Sequence, residues 1–311
     1  MTKKYKTPLR YPGGKSRATR FLDNYFPHLG TMEDYYEPFL GGGSVAIHVS
    51  KKYPHLKITV NDLYEPLINF WTQLQTFGDE LTNKLIDYKI NHPNPSKELR
   101  TEKGTKFPAQ ELFLNSKEVI NKNGVDSIER AAAFYIVNKC SFSGLTESSS
   151  FSAQASESNF SYRGIEKISG YQKIIENWKI TNLSYEDLLT DWEGAFIYLD
   201  PPYDIKDNLY GKSGAIHKKF DHDKFAEDCD KHTAHMMISY NSSQLIKDRF
   251  KEWSASEFDL TYTMRSVGEY MRNQQDRKEL LLMNYNKPKV KLTFDGCYNY
   301  DRLKKEGLVD V

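Results

Sequence analysis

Residues 35 to 62 constrain the fold of this chain more tightly than any other stretch. Tyr35-Tyr36-Glu37-Pro38-Phe39 reads as a short strand, Gly41-Gly42-Gly43 as a turn, and Ser44 to Lys52 as a helix. Lys57-Ile58-Thr59-Val60 then reads as a second strand, ending in Asn61-Asp62. Two parallel strands need a long crossover between them, and strand, turn, helix, strand is the unit that supplies it. A parallel sheet is covered on both faces, so its other strands should be near-continuous apolar runs. Ala195-Phe196-Ile197-Tyr198-Leu199 and His235-Met236-Met237-Ile238-Ser239 fit, the second following an amphipathic stretch from Asp221 to Lys231. The run Glu279 to Tyr285 closes the pattern.

Between these α/β portions the character changes. Residues from about Leu67 to Asn138 read as mostly helical, broken at Pro93, Pro95 and Pro108. Nine of the 21 residues from Ser141 to Ser161 are serine, punctuated by Phe142, Phe151 and Phe160. The expectation is an α/β domain interrupted by a helical insert and a polar loop.

Composition excludes several classes. The 311 residues carry 43 basic and 42 acidic side chains, a net charge of +1, so the chain is no uniformly basic nucleic-acid packer. With 39% hydrophobic and 14% aromatic residues it can bury a core, which excludes disorder as the dominant state. It has no apolar run of about 18 residues to span a membrane, and Met1 to Lys6 lacks the apolar core of a secretory signal. Cys140, Cys229 and Cys297 form neither a paired framework nor a Cys-x-x-Cys knuckle, which fits a reducing cytoplasm. The charge is nevertheless segregated. Lys3 to Arg20 holds seven basic and no acidic residues, Arg265 to Lys291 seven basic and three acidic, and Glu186 to Asp207 seven acidic and one basic.

Three motifs carry chemistry. In Pro38-Phe39-Leu40-Gly41-Gly42-Gly43-Ser44 a glycine-rich strand-to-helix turn lets a ligand approach the backbone. Asp62, 21 residues after Gly41, ends the next strand, where a carboxylate accepts ribose hydroxyls. Together they point to a nucleoside-containing ligand without separating NAD from S-adenosylmethionine. Asp200-Pro201-Pro202-Tyr203 follows the strand ending in Leu199. The amino nitrogen of adenine is a poor nucleophile, so methylating it needs acceptors for both amino hydrogens. The Asp200 carboxylate and the Pro201 carbonyl can supply them, while the two prolines stiffen the loop and Tyr203 offers a stacking face. Tyr11-Pro12-Gly13-Gly14-Lys15-Ser16 is no Walker A loop, because Leu9 stands where glycine is required. It is a tight turn that exposes Lys15 beside an aromatic.

Among single residues, His232 and His235 lack a third ligand and read as solvated histidines, and Cys140 as a buried thiol. Arg265, Arg272, Arg277 and Lys278 are candidates for phosphate contact, and the basic residues before Phe21 form a stronger one.

The ordered series Y-P-G-G-K, P-F-L-G-G-G-S, N-D and D-P-P-Y resembles the alpha group of S-adenosylmethionine-dependent N6-adenine DNA methyltransferases, the Dam-like enzymes. Phe134 to Lys139 with Phe142 to Leu145, Ile238 to Asn241, and Arg277 to Leu281 are similar to further blocks of that family. The resemblance covers roughly residues 8 to 287. It implies a Rossmann-like α/β fold, a doubly wound and mostly parallel seven-stranded sheet, with a mainly helical target-recognition domain inserted. Residues 1–66 and 165–287 would form the catalytic domain, 67–164 the recognition domain, and 288–311 an extension without assigned role.

The resemblance further implies that Tyr11, Lys15, Phe39, Gly41, Gly43, Asp62 and Asp200 hold S-adenosylmethionine, with Lys15 near its carboxylate and Asp62 on its ribose. Asp200, Pro201, Pro202 and Tyr203 would act on an adenine rotated out of double-stranded DNA. Lys15, Asn138, Lys139, Ser143, Leu145, Glu147 and Arg272 would meet the DNA. No metal and no obligate protein partner are implied, and the setting would be the cytoplasm of a bacterium or of a phage host. GATC-specific members carry a basic residue where this chain has Glu147, and asparagine where it has Ser143. The target sequence is therefore left open, GATC included. An RNA adenine methyltransferase and, further off, a nicotinamide-dependent oxidoreductase are the competing readings.

Overall fold

The computed structural model describes residues 6–11, 13–95, 107–142, 149–203, 220–259 and 278–286. Seven strands form one sheet: β1 (Asp34–Glu37), β2 (Lys57–Asn61), β3 (Lys179–Thr181), β4 (Ala195–Leu199), β5 (His235–Asn241), β6 (Ser254–Asp259) and β7 (Lys278–Met283). Their order is β3-β2-β1-β4-β5-β7-β6. β7 runs antiparallel to both of its neighbours, and the other pairings are parallel. This is the Rossmann-like methyltransferase arrangement.

Period-two alternation sorts the strand side chains onto two faces. Phe196, Tyr198, Met237, Leu281 and Met283 face one core, while Ala195, Ile197, Leu199, Met236, Ile238, Leu280 and Leu282 face another. β4 is buried at every position, as a central strand covered on both sides must be. Helices α1 (Thr19–Leu22), α2 (Ser44–Lys52) and α3 (Glu65–Asn91) contribute to the first core, as do α4 (Pro108–Val119), α5 (Ser127–Cys140), α7 (Tyr162–Ile165) and α8 (Ser169–Ile175). The short α6 (Ala153–Ser158) packs beside α5. Helices α9 (His222–Asp230) and α10 (Gln244–Arg249) cover the second face through Phe225, Cys229 and Ile246.

α5 is apolar almost all round because it lies between α3 and α4, so no face of it needs to be polar. It starts where the Asp126 side chain accepts the amides of Ile128 and Glu129. α3 is one 27-residue element bent at Phe77, where φ is −128° and ψ 40°. The boundary expected at residue 67 falls inside its first turn, and the start of the helix buries Leu67, Phe70 and Trp71.

The helix Ser44–Lys52 and the strand Ala195–Leu199 form over the residues read from sequence. β3 and β6 carry no comparable signal. β3 has three residues and pairs along one edge, and β6 is a partly polar edge strand paired to β7 alone. Among the described residues, no helix is long and apolar enough to cross a membrane.

Candidate active site

β1 and β4 are neighbours at the centre of the sheet, and their crossovers leave in opposite directions. A crevice opens at the carboxyl ends of strands arranged in this way. The glycine turn follows β1, Asp62 follows β2 and Asp200 follows β4, so all three converge there.

The turn is clamped by the protein itself. Gly41 and Gly43 have φ of +48° and +66°, a region that side chains rarely adopt. A Cβ on Gly41 would lie 2.8 Å from the Tyr11 ring, and one on Gly43 2.7 Å from the Trp71 ring. Trp71 Nε1 donates to the Gly41 carbonyl at 3.3 Å, and the Thr7 hydroxyl donates to that of Gly42. The Gly41 amide donates to Asp62 Oδ2 at 2.9 Å and the Tyr64 amide to Oδ1 at 3.0 Å. These bonds fix the partly exposed Asp62 carboxylate, and burial pushes its pKa up to about 6.

Beneath it, the buried Asn61 amide joins three strand ends. Its nitrogen donates to the carbonyls of Pro38 and Leu183, and its oxygen accepts from the Thr181 hydroxyl and the Leu183 amide.

Beyond β4, four side chains form one network. Lys15 Nζ donates to both Asp200 oxygens at 2.8 and 2.9 Å, to the Gly13 carbonyl at 3.0 Å and to the Tyr203 hydroxyl at 2.9 Å. The Tyr203 hydroxyl donates to Glu279 Oε2 at 2.7 Å. Burial pushes the Asp200 carboxyl up to about 6 even though Lys15 opposes the rise, and the charge of Glu279 adds to it. At the end of β1, the fully buried Glu37 accepts from the Tyr35 hydroxyl at 2.6 Å. Burial pushes its pKa up to about 8, with Asp200 and Asp62 contributing repulsion. Pro201 is buried and Pro202 half-buried behind Asp200.

The sequence that builds this crevice matches a known family. A model of D12 class N6 adenine-specific DNA methyltransferases matches residues 11–264. The chain belongs to this family. It is similar over most of its length to two curated relatives. The Type II methyltransferase M.MjaIII of Methanocaldococcus jannaschii is 25% identical over 297 residues, 89% of this chain and 98% of that protein. M1.LlaDCHI of Lactococcus lactis subsp. cremoris is 22% identical over 293 residues, 89% of this chain and 94% of that one. The DNA N-6-adenine-methyltransferase of Escherichia phage P1 matches at 26% identity over 210 residues, 65% of this chain and 24% of its own length. The present methyltransferase thus acts on the N6 amino group of adenine in DNA.

The structure gives several of the expected contact residues partners within the protein. Lys15 is 2% exposed and gives its ammonium to Asp200 and Tyr203. Asn138 is 1% exposed, and its amide both accepts from and donates to the Arg10 backbone, at 2.9 and 2.6 Å. It braces the N-terminal segment. Arg10 in turn donates to the carbonyls of Ser141 and Phe142, at the base of the serine-rich loop. Lys139 lies with its ammonium 5.2 Å from the Tyr135 ring centre, and burial lowers its pKa to about 8. Phe39 stacks on Tyr185 at 5.6 Å and meets Phe220 and Phe225 edge-on, forming an apolar wall. Ser143, Leu145, Glu147 and Arg272 lie outside the described residues.

Glu37, Asn61, Trp71 and Glu279 are site residues that sequence reading missed. The available signal was a carboxylate within a strand reading, at Glu37, and one opening an apolar run, at Glu279. Of the lone residues, His232 pairs with Asp191 at 3.2 Å, and the Cys140 thiol is buried and pushed up to about 11. Among the described residues, no three His, Cys, Asp or Glu side chains gather as a metal would require.

Proposed function

We propose that this methyltransferase is a Dam-like enzyme that takes its methyl group from S-adenosylmethionine and delivers it to an adenine turned out of double-stranded DNA. The observation that carries the reading is the Asp200 carboxylate, fixed at the carboxyl end of β4 beside the glycine turn. The residues present suit the donor. Asp62 accepts two amides and keeps lone pairs for ribose hydroxyls, since a carboxylate offers about four acceptor sites. Leu63 and Leu183, 62% and 46% exposed, flank that strand end as apolar surfaces for a purine, with Phe39 forming a further wall. Bound there, S-adenosylmethionine supplies an electrophilic methyl group.

The chain's own residues prepare the acceptor. Asp200 and the Pro201 carbonyl take the two amino hydrogens and draw the nitrogen toward a tetrahedral shape. Asp200 is the nearest acceptor for the proton that leaves as the new bond forms. Lys15 holds the carboxylate in place, and Tyr203, clamped by Glu279 and Lys15, offers its ring as a fixed stacking face. Extruding the base costs a few kcal/mol, offset in part by such stacking, about 1–3 kcal/mol. Residues 67–164, the helical insert with its serine-rich segment, are assigned to target recognition.

The test is labelled-methyl transfer to duplex DNA, single-stranded DNA and RNA, with Asp200→Ala as the comparison. Turnover on duplex DNA should fall by roughly 10²–10³ in the variant, the loss typical of one positioned polar group. Near-normal transfer by the variant would sink the role of Asp200, and preference for RNA would sink the substrate.

A further inference from the structure

We propose that a basic cleft between the N-terminal segment and α2 grips the sugar-phosphate backbone of the DNA substrate beside the reaction centre. The proposal rests on the reading of double-stranded DNA as substrate. The cleft has a volume of about 580 Å³ and lies between residues 16–20 and one face of α2. Lys6, Arg17, Arg20, Lys51 and Lys52 supply five exposed cations around it. Ser44, His48 and Lys51 line it at steps of four and three residues, which places them on one side of the helix. Asp23 is an acid that touches this wall, where it pairs with Lys52 and with His48.

Charge and position argue together. The whole chain carries a net charge of only +1, yet five cations surround one cleft; Asp23 offsets part of that charge at Lys52, and a polyanion offsets more of it. The hydroxyls of Ser16 and Thr19 add neutral donors of the kind that phosphate oxygens accept. The upper end lies at the reaction centre, because Ser16 directly follows Lys15 and Ser44 directly follows Gly43. From Ser44 to Lys51 the helix rises about 10 Å, the axial length of about three phosphates on one strand. A cleft of this kind reads no sequence. It sets where the duplex lies relative to Asp200, leaving base discrimination to other parts of the protein.

The experiment titrates the full chain with duplex DNA of mixed genomic sequence, over a range of salt concentrations. The variants are Arg17→Glu, Lys51→Glu and the pair, with Lys57→Glu as control. Lys57 is 75% exposed at the amino end of β2, away from the crevice. Thermal melts verify the fold of each variant. The log–log salt slope should become shallower by about 1 for each cleft residue changed, and affinities should converge as salt rises. Arg17→Gln and Lys51→Gln should show smaller losses of affinity in the same direction, and the control should keep the wild-type slope. If the wild type binds and methylates DNA while the cleft variants retain its slope, the cleft proposal is overturned and the function stands. If the wild type neither binds nor methylates duplex DNA, the function itself fails.

Discussion

Asp200 is under two opposing demands. Burial favours its protonated form and sets its pKa at about 6, but only the ionised carboxylate can accept an amino hydrogen on either oxygen. Methyl transfer should therefore be lost as pH falls through about 6, by about tenfold per unit below it, and be retained above. A single-turnover pH profile on duplex DNA checks this, and a rate that stays level down to pH 5 would remove Asp200 as the acceptor. Lys15 is the group that keeps the ionised form accessible, and its placement was not evident beforehand. Its motif exposes a cation in a turn, and only the folded chain shows that cation turned inward onto a carboxylate 185 residues away. Glu279 illustrates the same limit. In sequence it is one charge ahead of Leu280, Leu281 and Leu282, while in the structure it is 2% exposed and holds the Tyr203 hydroxyl.

At the scale of elements, the glycine turn shows how one motif serves both backbone geometry and packing. Gly43 combines a left-handed conformation with a Trp71 ring where a side chain would go, whereas Gly124 has φ +77° and open space around it. Gly43→Ala should cost about 1–2 kcal/mol for conformation and about 1–3 kcal/mol more for overpacking. Gly124→Ala should cost only the first amount. Urea denaturation of both variants measures the difference, and equal losses would show that Trp71 does not confine the turn. Elements with a strong local signal were legible: the helix after the glycines and the apolar run of β4. β3 and β6 were not, because a short or polar edge strand owes its existence to its neighbour and not to its own composition.

Across the whole molecule, the helical insert and the sheet are joined by one core. Tyr35, Val60 and Phe196 of the sheet share a continuous cluster with Phe113, Phe134 and Ile165 of the helices. Unfolding should therefore be a single transition, with far-ultraviolet circular dichroism and tryptophan fluorescence coinciding along a urea titration. A fragment of residues 67–164 that melted cooperatively on its own would contradict this. Charge is organised at the same scale. The near-cancellation to +1 conceals a basic cleft along α2 and an acid-rich stretch around Asp200, so the total predicts neither.

The sequence by itself determined the class of sheet, the order of the glycine turn, Asp62 and Asp-Pro-Pro-Tyr, and through them the resemblance to N6-adenine DNA methyltransferases. These are local signals, set by backbone conformation and by spacing along a few residues. The tertiary structure alone decided which groups meet: Lys15 with Asp200, Glu279 with Tyr203, Asn138 with Arg10, and residues 16–20 with α2. Those partners lie between roughly 30 and 185 residues apart in the chain. Their contacts follow from how the crossovers pack on the sheet, which no local pattern encodes.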